Sequence, residues 1–235
     1  MSVLVIQNIT REGPGLIGRV LSENGISYET VDLSMGQEFP DPTAYDALVV
    51  MGGPASANDR TPVMLDEIAH VRKALDKGIS YLGICLGMQV LAKASGSSIV
   101  RSRVQEVGWR GPDGSAFEIE LTAAGESDPI FSGVERKLGV FQLHAEAVEP
   151  SSSMKLLARG RFCENQAIRV GENAYGFQCH LDLTADMFDV WVREDADLLK
   201  LQKTTLESDY LKLRPAYEKA GMRIFSNFFG IAGLL

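Results

Sequence analysis

Residues 81–89 read YLGICLGMQ, an apolar strand that leads directly into the first turn of a helix. Cys85 stands at the junction, with glycines two residues before it and two residues after it. Glycines permit the sharp turn and strained backbone that expose a nucleophile at such an elbow. The sulfur is then expected above the carboxyl edge of the sheet, where free N–H groups at the helix start favour a thiolate. The alternative is a small buried cysteine at a strand end.

A second segment, residues 175–182, reads YGFQCHLD and places His180 at the end of another apolar strand. A cysteine nucleophile needs a base, and the base needs an orienting group. Asp182 follows two residues later, and alternate residues of an extended chain point to one side. Of the other two histidines, His70 falls in a predicted helix as a surface or partly buried residue, and His144 is considered below. Alone, the His180–Asp182 pair also fits an exposed turn.

A third segment, Met51-Gly52-Gly53-Pro54, ends another predicted strand. Two glycines let the backbone approach a ligand closely and present its N–H groups. Acyl transfer needs two such donors aimed at the developing oxyanion. We assign this oxyanion hole to the N–H groups of Gly53 and of Leu86, the residue after the cysteine. The alternative is a plain Gly-Gly-Pro turn.

Strands and helices alternate through the first half of the sequence. Apolar runs predict strands at Val3–Gln7, Tyr28–Leu33, Ala47–Met51 and Ile79–Cys85. Helical spacing predicts a helix that carries Leu16, Val20 and Leu21 and ends near Gly25, a second over Pro62–Lys77, and a third from Leu86 to Ala94. This alternation predicts an α/β fold with a largely parallel sheet covered by helices on both faces.

The second half is richer in strands. We predict five, as antiparallel additions to the same sheet, at Phe117–Thr122, Val140–Val148, Met154–Arg159, Ala167–Val170 and Tyr175–Cys179. The chain then becomes helical over Asp186–Ala220, with a last helix at Met222–Phe229. No internal repeat or long linker interrupts it, so a single domain over residues 1–235 is expected.

The bulk composition limits the partners. The chain has 235 residues, a formal net charge of −8 and no Lys/Arg cluster, which argues against nucleic-acid binding through a broad basic surface. No run approaches the roughly 20 apolar residues of a membrane helix, and the short apolar N-terminus indicates a buried strand rather than a signal peptide. Three cysteines without metal-ligand spacing favour the reducing cytoplasm and predict no metal. No nucleotide-binding signature occurs, and no cofactor is predicted.

Together these motifs resemble those of the class I glutamine amidotransferases, especially the free-standing group similar to the amidotransferase domain of GMP synthetase. The resemblance covers most of the chain and rests on Gly52-Gly53-Pro54, on residues 83–89 and on residues 176–182. Weaker similarities lie at residues 106–109, 141–146 and 165–167. It implies a three-layer, flavodoxin-like α/β fold with a mixed, largely parallel sheet.

The resemblance also implies an activity. In this family the cysteine attacks the side-chain amide of glutamine, releases ammonia and leaves a γ-glutamyl thioester that water hydrolyses to glutamate. Cys85 takes the position of the nucleophile and His180 that of the base. Gly52 and Gln89 match positions that hold the substrate. His144 falls where related proteins often carry a histidine near the amino-acid end of the substrate, so it is either a pocket residue or a structural one.

Three positions depart from the family pattern. Asp182 stands where Glu is usual and shortens the reach to the imidazole by about an ångström, although an aspartate still orients histidine in serine triads. Ala145 replaces the usual Gly, and Glu146 replaces the usual Asp. These changes bear on which γ-glutamyl substrate fits.

Three functions stay open at this point. The chain is a glutaminase that passes ammonia to a separate ATP-dependent synthetase, a stand-alone hydrolase of γ-glutamyl amides or peptides, or a catalytically silent binding module of the same fold. The expected ligand of the first two is L-glutamine or another γ-glutamyl compound.

Overall fold

A computed structural model describes residues 2–149 and 151–235. Nine of the described strands form one mixed sheet, and five of these run parallel. In sheet order the five are β2 (Ser27–Asp32), β1 (Ser2–Gln7), β3 (Ala47–Val50), β4 (Ser80–Ile84) and β11 (Ala174–Phe177). Four antiparallel strands extend the sheet: β10 (Ala167–Val170), β9 (Met154–Gly160), β6 (Glu118–Leu121) and β7 (Lys137–Gly139). The predicted fold class is confirmed.

Helices cover both faces of the sheet. One face carries α1 (Gly15–Glu23), α5 (Ala185–Glu194) and α6 (Lys203–Ile231), and the other carries α2 (Pro62–Asp76) and α3 (Leu86–Ala94). A short helix, α4 (Ala123–Glu126), precedes β7. Strand β1 shows why the sheet needs both layers: Val3 and Val5 pack in one hydrophobic cluster, and Leu4 and Ile6 in the other.

The parallel pairing of β3, β4 and β11 positions the candidate site. Val50 lies beside Gly83, and Ile84 lies beside Phe177. The segments that follow these three strands therefore leave the same edge of the sheet next to one another. This edge is the place where open α/β sheets bind ligands, and it receives all three of the motifs that the sequence singled out.

Two of the five strands predicted as antiparallel additions are placed differently. The segment predicted at Tyr175–Cys179 is β11, which pairs parallel with β4 and belongs to the parallel part of the sheet. The segment predicted at Val140–Val148 is β8 (Gln142–Glu149), and it pairs with β5 (Ser98–Gly108) in a separate two-stranded sheet instead of joining the main one. The sequence did not indicate β5, because its centre is polar and lacks a regular apolar alternation. A strand without an identified partner was therefore assigned to the wrong sheet. The edge strand β7 was missed because it has only three residues.

The C-terminal helices also differ from the prediction. The helical structure is interrupted between Glu194, where α5 ends, and Lys203, where α6 begins. Helix α6 then continues through Gly221 to Ile231 without interruption. Gly221 does not end the helix because it serves a close contact: a Cβ there would collide with the carbonyl oxygen of Leu181. No helix in the described ranges is both long enough and apolar enough to cross a membrane.

A buried carboxyl group supports the loop after β3. Glu67 of α2 has no solvent exposure, and its Oε1 accepts a hydrogen bond of 3.1 Å from Asn8 Nδ2. The same Asn8 nitrogen donates to the carbonyl of Met51 at 3.2 Å, immediately before Gly52. Burial raises the pKa of Glu67 to about 7, against the hydrogen bond from Asn8, which lowers it. Near neutral pH this residue therefore carries a partial charge in an apolar surrounding.

We expect Glu67→Gln to change how stability depends on pH. The pKa of Glu67 is above its unfolded value of 4.5, so the folded state binds its proton more tightly and loses stability as the pH rises from about 4.5 to 7. Glutamine keeps the acceptor without the charge. Urea unfolding should show a similar stability to wild type at pH 5 and a gain of up to about 3 kcal/mol at pH 8. An equal effect at both pH values would contradict the assigned cause.

Candidate active site

The backbone at Cys85 is strained in the way that the sequence predicted. Its φ is +51°, and it is the only non-glycine with positive φ in the described part of the chain. The two glycines are required by close contacts, because a Cβ on Gly83 would collide with the backbone of Gly87, and a Cβ on Gly87 with the carbonyl oxygen of Val50. The amide of Cys85 is fixed by a 2.7 Å hydrogen bond to the carbonyl of Phe177. Strain of this kind persists only where its surroundings hold it.

The thiol of Cys85 lies just below the surface, with 6% of the residue exposed. It is 3.7 Å from the carbonyl oxygen of Leu143, to which it donates, and it accepts from Gln178 Nε2 at 3.6 Å. Leu86 begins α3, so its N–H has no partner within the helix. The sulfur thus lies beside a helix N-terminus.

His180 and Asp182 form a fully buried pair. His180 Nδ1 is 3.1 Å from Asp182 Oδ1, and both side chains are at most 1% exposed. The backbone of His180 is held by Phe141, whose carbonyl accepts from the His180 amide at 2.8 Å. The indole of Trp191 meets the imidazole edge-on, with 4.9 Å between the ring centroids. These contacts fix the ring so that Nε2 remains free for proton exchange.

The shorter side chain of Asp182 reaches the imidazole because its own backbone is held close. Its carbonyl accepts a 2.8 Å hydrogen bond from Leu16 at the start of α1. Gly15 makes this approach possible, since a Cβ there would collide with the same carbonyl. Burial opposes a charge on His180, but the carboxylate of Asp182 and the thiol of Cys85 outweigh it and raise the pKa of His180 well above its usual value. The site therefore favours the protonated imidazolium of His180.

Gly52 and Gly53 lie close to Cys85, and of the two Gly53 lines the cavity. A Cβ on Gly52 would lie 3.1 Å from His180 Cε1 and 3.5 Å from Cys85 Cβ, and a Cβ on Gly53 would lie 3.4 Å from the side chain of Leu86. Gly53 and Leu86 both face the cavity beside Cys85. The structure thus brings together the two residues to which the oxyanion hole was assigned. The absence of side chains at both glycines allows close packing instead, because a Cβ on Gly52 would collide with Glu12 Oε2 and a Cβ on Gly53 with Cβ of Asn8.

Gln89 and His144 both line the cavity, and their side chains contact different partners. Gln89 Nε2 donates to the carbonyl of Glu146 and to Gln178 Oε1, both at 3.3 Å. His144 turns its imidazole away from Cys85, with Nε2 2.7 Å from Glu106 Oε2 and Nδ1 3.0 Å from the carbonyl of Glu146. His144 therefore lines the cavity while its ring ties β8 to β5. His70 lies away from the site, stacked on Phe39.

Cys163 completes a buried cluster with Glu106 and His144, whose potential ligand atoms all lie within 4.8 Å of one another. The sequence spacing did not indicate this cluster, because its members come from three distant segments. Burial, followed by the nearby Glu106, raises the pKa of Cys163 to about 12, so the sulfur is a neutral thiol. Glu106 and His144 are in direct contact, with 2.7 Å between His144 Nε2 and Glu106 Oε2, so the cluster links β5 to β8.

Sequence reasoning missed two residues that contact this site. Gln178 lies within the quoted 175–182 motif and bonds both Cys85 and Gln89, but its position gave no sign of that role. Glu12 lies in the loop after β1 and lines the cavity beside Cys85. The position of Glu12 in the sequence could have indicated this, because a polar residue that follows a parallel strand is expected at the same edge of the sheet. The cavity has a volume of about 340 Å³.

The family of the chain follows from comparison with known proteins. Residues 15–193 match the family described as glutamine amidotransferase class-I. That segment includes all three motifs and most of the parallel sheet. The chain belongs to the class I glutamine amidotransferases.

Relatives within this group have different functions. The chain is 28% identical to a subunit of the glutamine-hydrolyzing GMP synthase of Haloquadratum walsbyi, over 69% of this chain and 79% of the relative. It is 27% identical to a γ-glutamyl-L-1-hydroxyisopropylamide hydrolase of a Pseudomonas species, over 65% of this chain and 52% of the relative. For several curated relatives, this hydrolase among them, the match covers less than two thirds of their length. A glutamine amidotransferase crystal structure from Methylobacillus flagellatus shares the fold, with a TM-score of 0.86 at 24% identity over 98% of this chain and 94% of that chain.

We expect Cys85 to be the one thiol that iodoacetamide modifies rapidly in the native protein. Cys85 borders the cavity, whereas burial raises the pKa of Cys163 to about 12 and that of Cys179 well above its usual value. Only the thiolate reacts, so at pH 8 about one in 10⁴ of the Cys163 side chains is reactive. Peptide mass spectrometry measures the modification at each site. Equal labelling of Cys85 and Cys163 would support the catalytically silent alternative.

Proposed function

We propose that this chain is a glutaminase that hydrolyses the side-chain amide of L-glutamine to glutamate and ammonia. The observation that carries the proposal is the strained Cys85 elbow beside an imidazole that Asp182 holds by Nδ1. A nucleophile, a base and an orienting carboxylate are the parts that acyl transfer through cysteine requires.

The reaction uses each part in turn. Cys85 attacks the amide carbon as a thiolate, and the N–H groups of Gly53 and Leu86 stabilise the oxyanion that forms. His180 delivers its proton through Nε2 to the nitrogen, the C–N bond breaks, and ammonia departs from a γ-glutamyl thioester. His180 then removes a proton from water, which hydrolyses the thioester. Gly52, Gln89 and His144 are the residues that we assign to holding the substrate.

The fate of the ammonia separates two versions of this function. The similarity to a GMP synthase subunit supports a separate, ATP-dependent synthetase as acceptor. The similarity to a γ-glutamyl amide hydrolase supports the alternative of a stand-alone hydrolase that acts on substituted γ-glutamyl amides. Both versions use the same thioester chemistry, in a single amidotransferase-type domain over residues 1–235 that works in the reducing cytoplasm without a cofactor.

Purified protein should release glutamate and ammonia from L-glutamine, and Cys85→Ala should abolish the release. His180→Asn should lower kcat/KM by at least about 10³-fold, because the nucleophile and its base act as a unit. His70→Asn is the matched control, since His70 stacks on Phe39 away from the cavity, and it should retain wild-type turnover. Retained activity in Cys85→Ala would exclude this mechanism.

Asp182→Asn should lower kcat by about 10²-fold or more, because the neutral amide no longer stabilises the imidazolium or selects its tautomer. The loss of the carboxylate also lowers the pKa of His180, which burial then depresses further. The rate of Cys85 alkylation at pH 6 to 7 should fall along with kcat. Asp76→Asn, at the exposed end of α2, provides the control and should change neither rate. An unaltered kcat in Asp182→Asn would remove Asp182 from the mechanism.

A further inference from the structure

Glu12 is held in place by the loop that joins β1 to α1. The amide of Glu12 donates to the carbonyl of Ile9 at 3.0 Å and closes a turn. The preceding residue, Arg11, is fixed twice from α5 and the segment after it: its carbonyl accepts from Trp191 Nε1 at 2.8 Å, and its guanidinium is 2.9 Å from Asp195 Oδ2. Trp191 also supports the imidazole of His180. The position of Glu12 is therefore coupled to that of the proposed base.

The carboxyl group of Glu12 is buried and has no partner among the described residues. The residue is 4% exposed, and neither of its oxygens accepts a hydrogen bond from residues 2–149 or 151–235. Other buried carboxyl groups of the protein are paired, as Asp182 is with His180 and Glu106 with His144. A carboxyl group in this position needs a hydrogen-bond donor, which water or a ligand in the cavity supplies.

Glu12 packs against Gly52, close to His180 and Cys85. A Cβ on Gly52 would collide with Glu12 Oε2, and the same point is 3.1 Å from His180 Cε1 and 3.5 Å from Cys85 Cβ. Cε1 is bonded to Nε2, the nitrogen that Asp182 leaves free. A leaving group that takes its proton from Nε2 above Cys85 departs into the cavity that Glu12 also lines. His180 itself is 1% exposed, and Cys85 and Glu12 are the neighbours of its ring that line the cavity.

The chemistry of an amide leaving group matches this carboxyl group. When the C–N bond breaks, the electron pair remains on nitrogen, which takes a proton from His180 and departs as an amine, or as ammonia from glutamine. That nitrogen carries N–H groups that need an acceptor, whereas the oxygen of an ester leaving group carries none before it is protonated. We propose that Glu12 accepts a hydrogen bond from the departing nitrogen and so makes the site selective for γ-glutamyl amides over γ-glutamyl esters. The inference rests on the proposed function and adds a determinant of specificity to it.

The charges around Glu12 fit this role. Burial raises its pKa to about 7; His180 and Arg11 oppose the rise, while Asp182 and Asp195 add to it. The neutral amine that departs takes up a second proton from solvent and becomes a cation, which stabilises the ionised carboxylate. The cavity wall near Arg11 also carries Asp195 and Asp197, so a positive product meets an acidic surrounding.

The test compares two substrates that differ only in the leaving group, L-γ-glutamyl methylamide and L-γ-glutamyl methyl ester. Glu12→Leu removes the acceptor at similar size, and Glu12→Gln keeps an acceptor without the charge. We expect Glu12→Leu to lower kcat/KM for the methylamide by about tenfold or more and to leave the ester within about twofold of wild type. For Glu12→Gln we expect a kcat/KM for the methylamide between those of wild type and Glu12→Leu. Glu23→Gln, at the exposed end of α1, is the matched control and should change neither substrate.

The possible outcomes distinguish a failure of this inference from a failure of the proposed function. An equal loss on amide and ester in both variants would show that Glu12 does not distinguish the two leaving groups and would overturn the inference alone; a parallel fall in Cys85 alkylation would assign that loss to His180. If Glu12→Leu does not fold, as judged by circular dichroism, the isosteric Glu12→Gln decides by the same comparison. A wild-type protein that cleaves neither substrate nor L-glutamine would overturn the proposed function and the inference together.

Discussion

The contact of α3 with the backbone of β3 is the constraint on which the site depends. Gly87 packs so closely on the carbonyl of Val50 that no side chain fits between them, and Gly83 packs in the same way on Gly87. This closeness leaves no room for a gradual passage from β4 into α3, so the turn is taken at Cys85 with a positive φ. The orientation of the sulfur therefore follows from packing two residues away on either side.

The packing also buries the ionisable groups of the site close to one another. His180, Asp182 and Glu12 are each at most 4% exposed. In such a surrounding the state of each group depends on its neighbours more than on solvent. The pKa of His180 rises because Asp182 and Cys85 outweigh burial, whereas burial dominates at Glu12. The pKa values of His180 and Glu12, which both lie beside Gly52, thus respond differently to the same low-polarity environment.

The parts of the molecule that sequence predicted well are those that local pattern determines. The elbow, the parallel strands and the segment ending in His180 each show their character within about ten residues. The pairing of β5 with β8, the contact of Glu106 with His144, and the approach of Glu12 to His180 depend on segments tens of residues apart. No local pattern contains that information, and the polar centre of β5 even conceals a strand. The oxyanion assignment to Gly53 and Leu86 stays a prediction, because only their juxtaposition is visible.

Helix α6 affects the order in which the site is assembled. Its Gly221 packs on the carbonyl of Leu181, and its Tyr217 hydroxyl accepts a 3.1 Å hydrogen bond from the amide of Leu183. Both contacts flank Asp182, so α6 braces the base and its orienting acid from behind. A chain emerges from the ribosome N-terminal end first, so the Cys85 elbow, whose amide is held by Phe177 of β11, precedes α6 in the order of synthesis. A nascent chain would hold its nucleophile ready while the base still lacks its support, which delays the reactive pair until synthesis has passed α6.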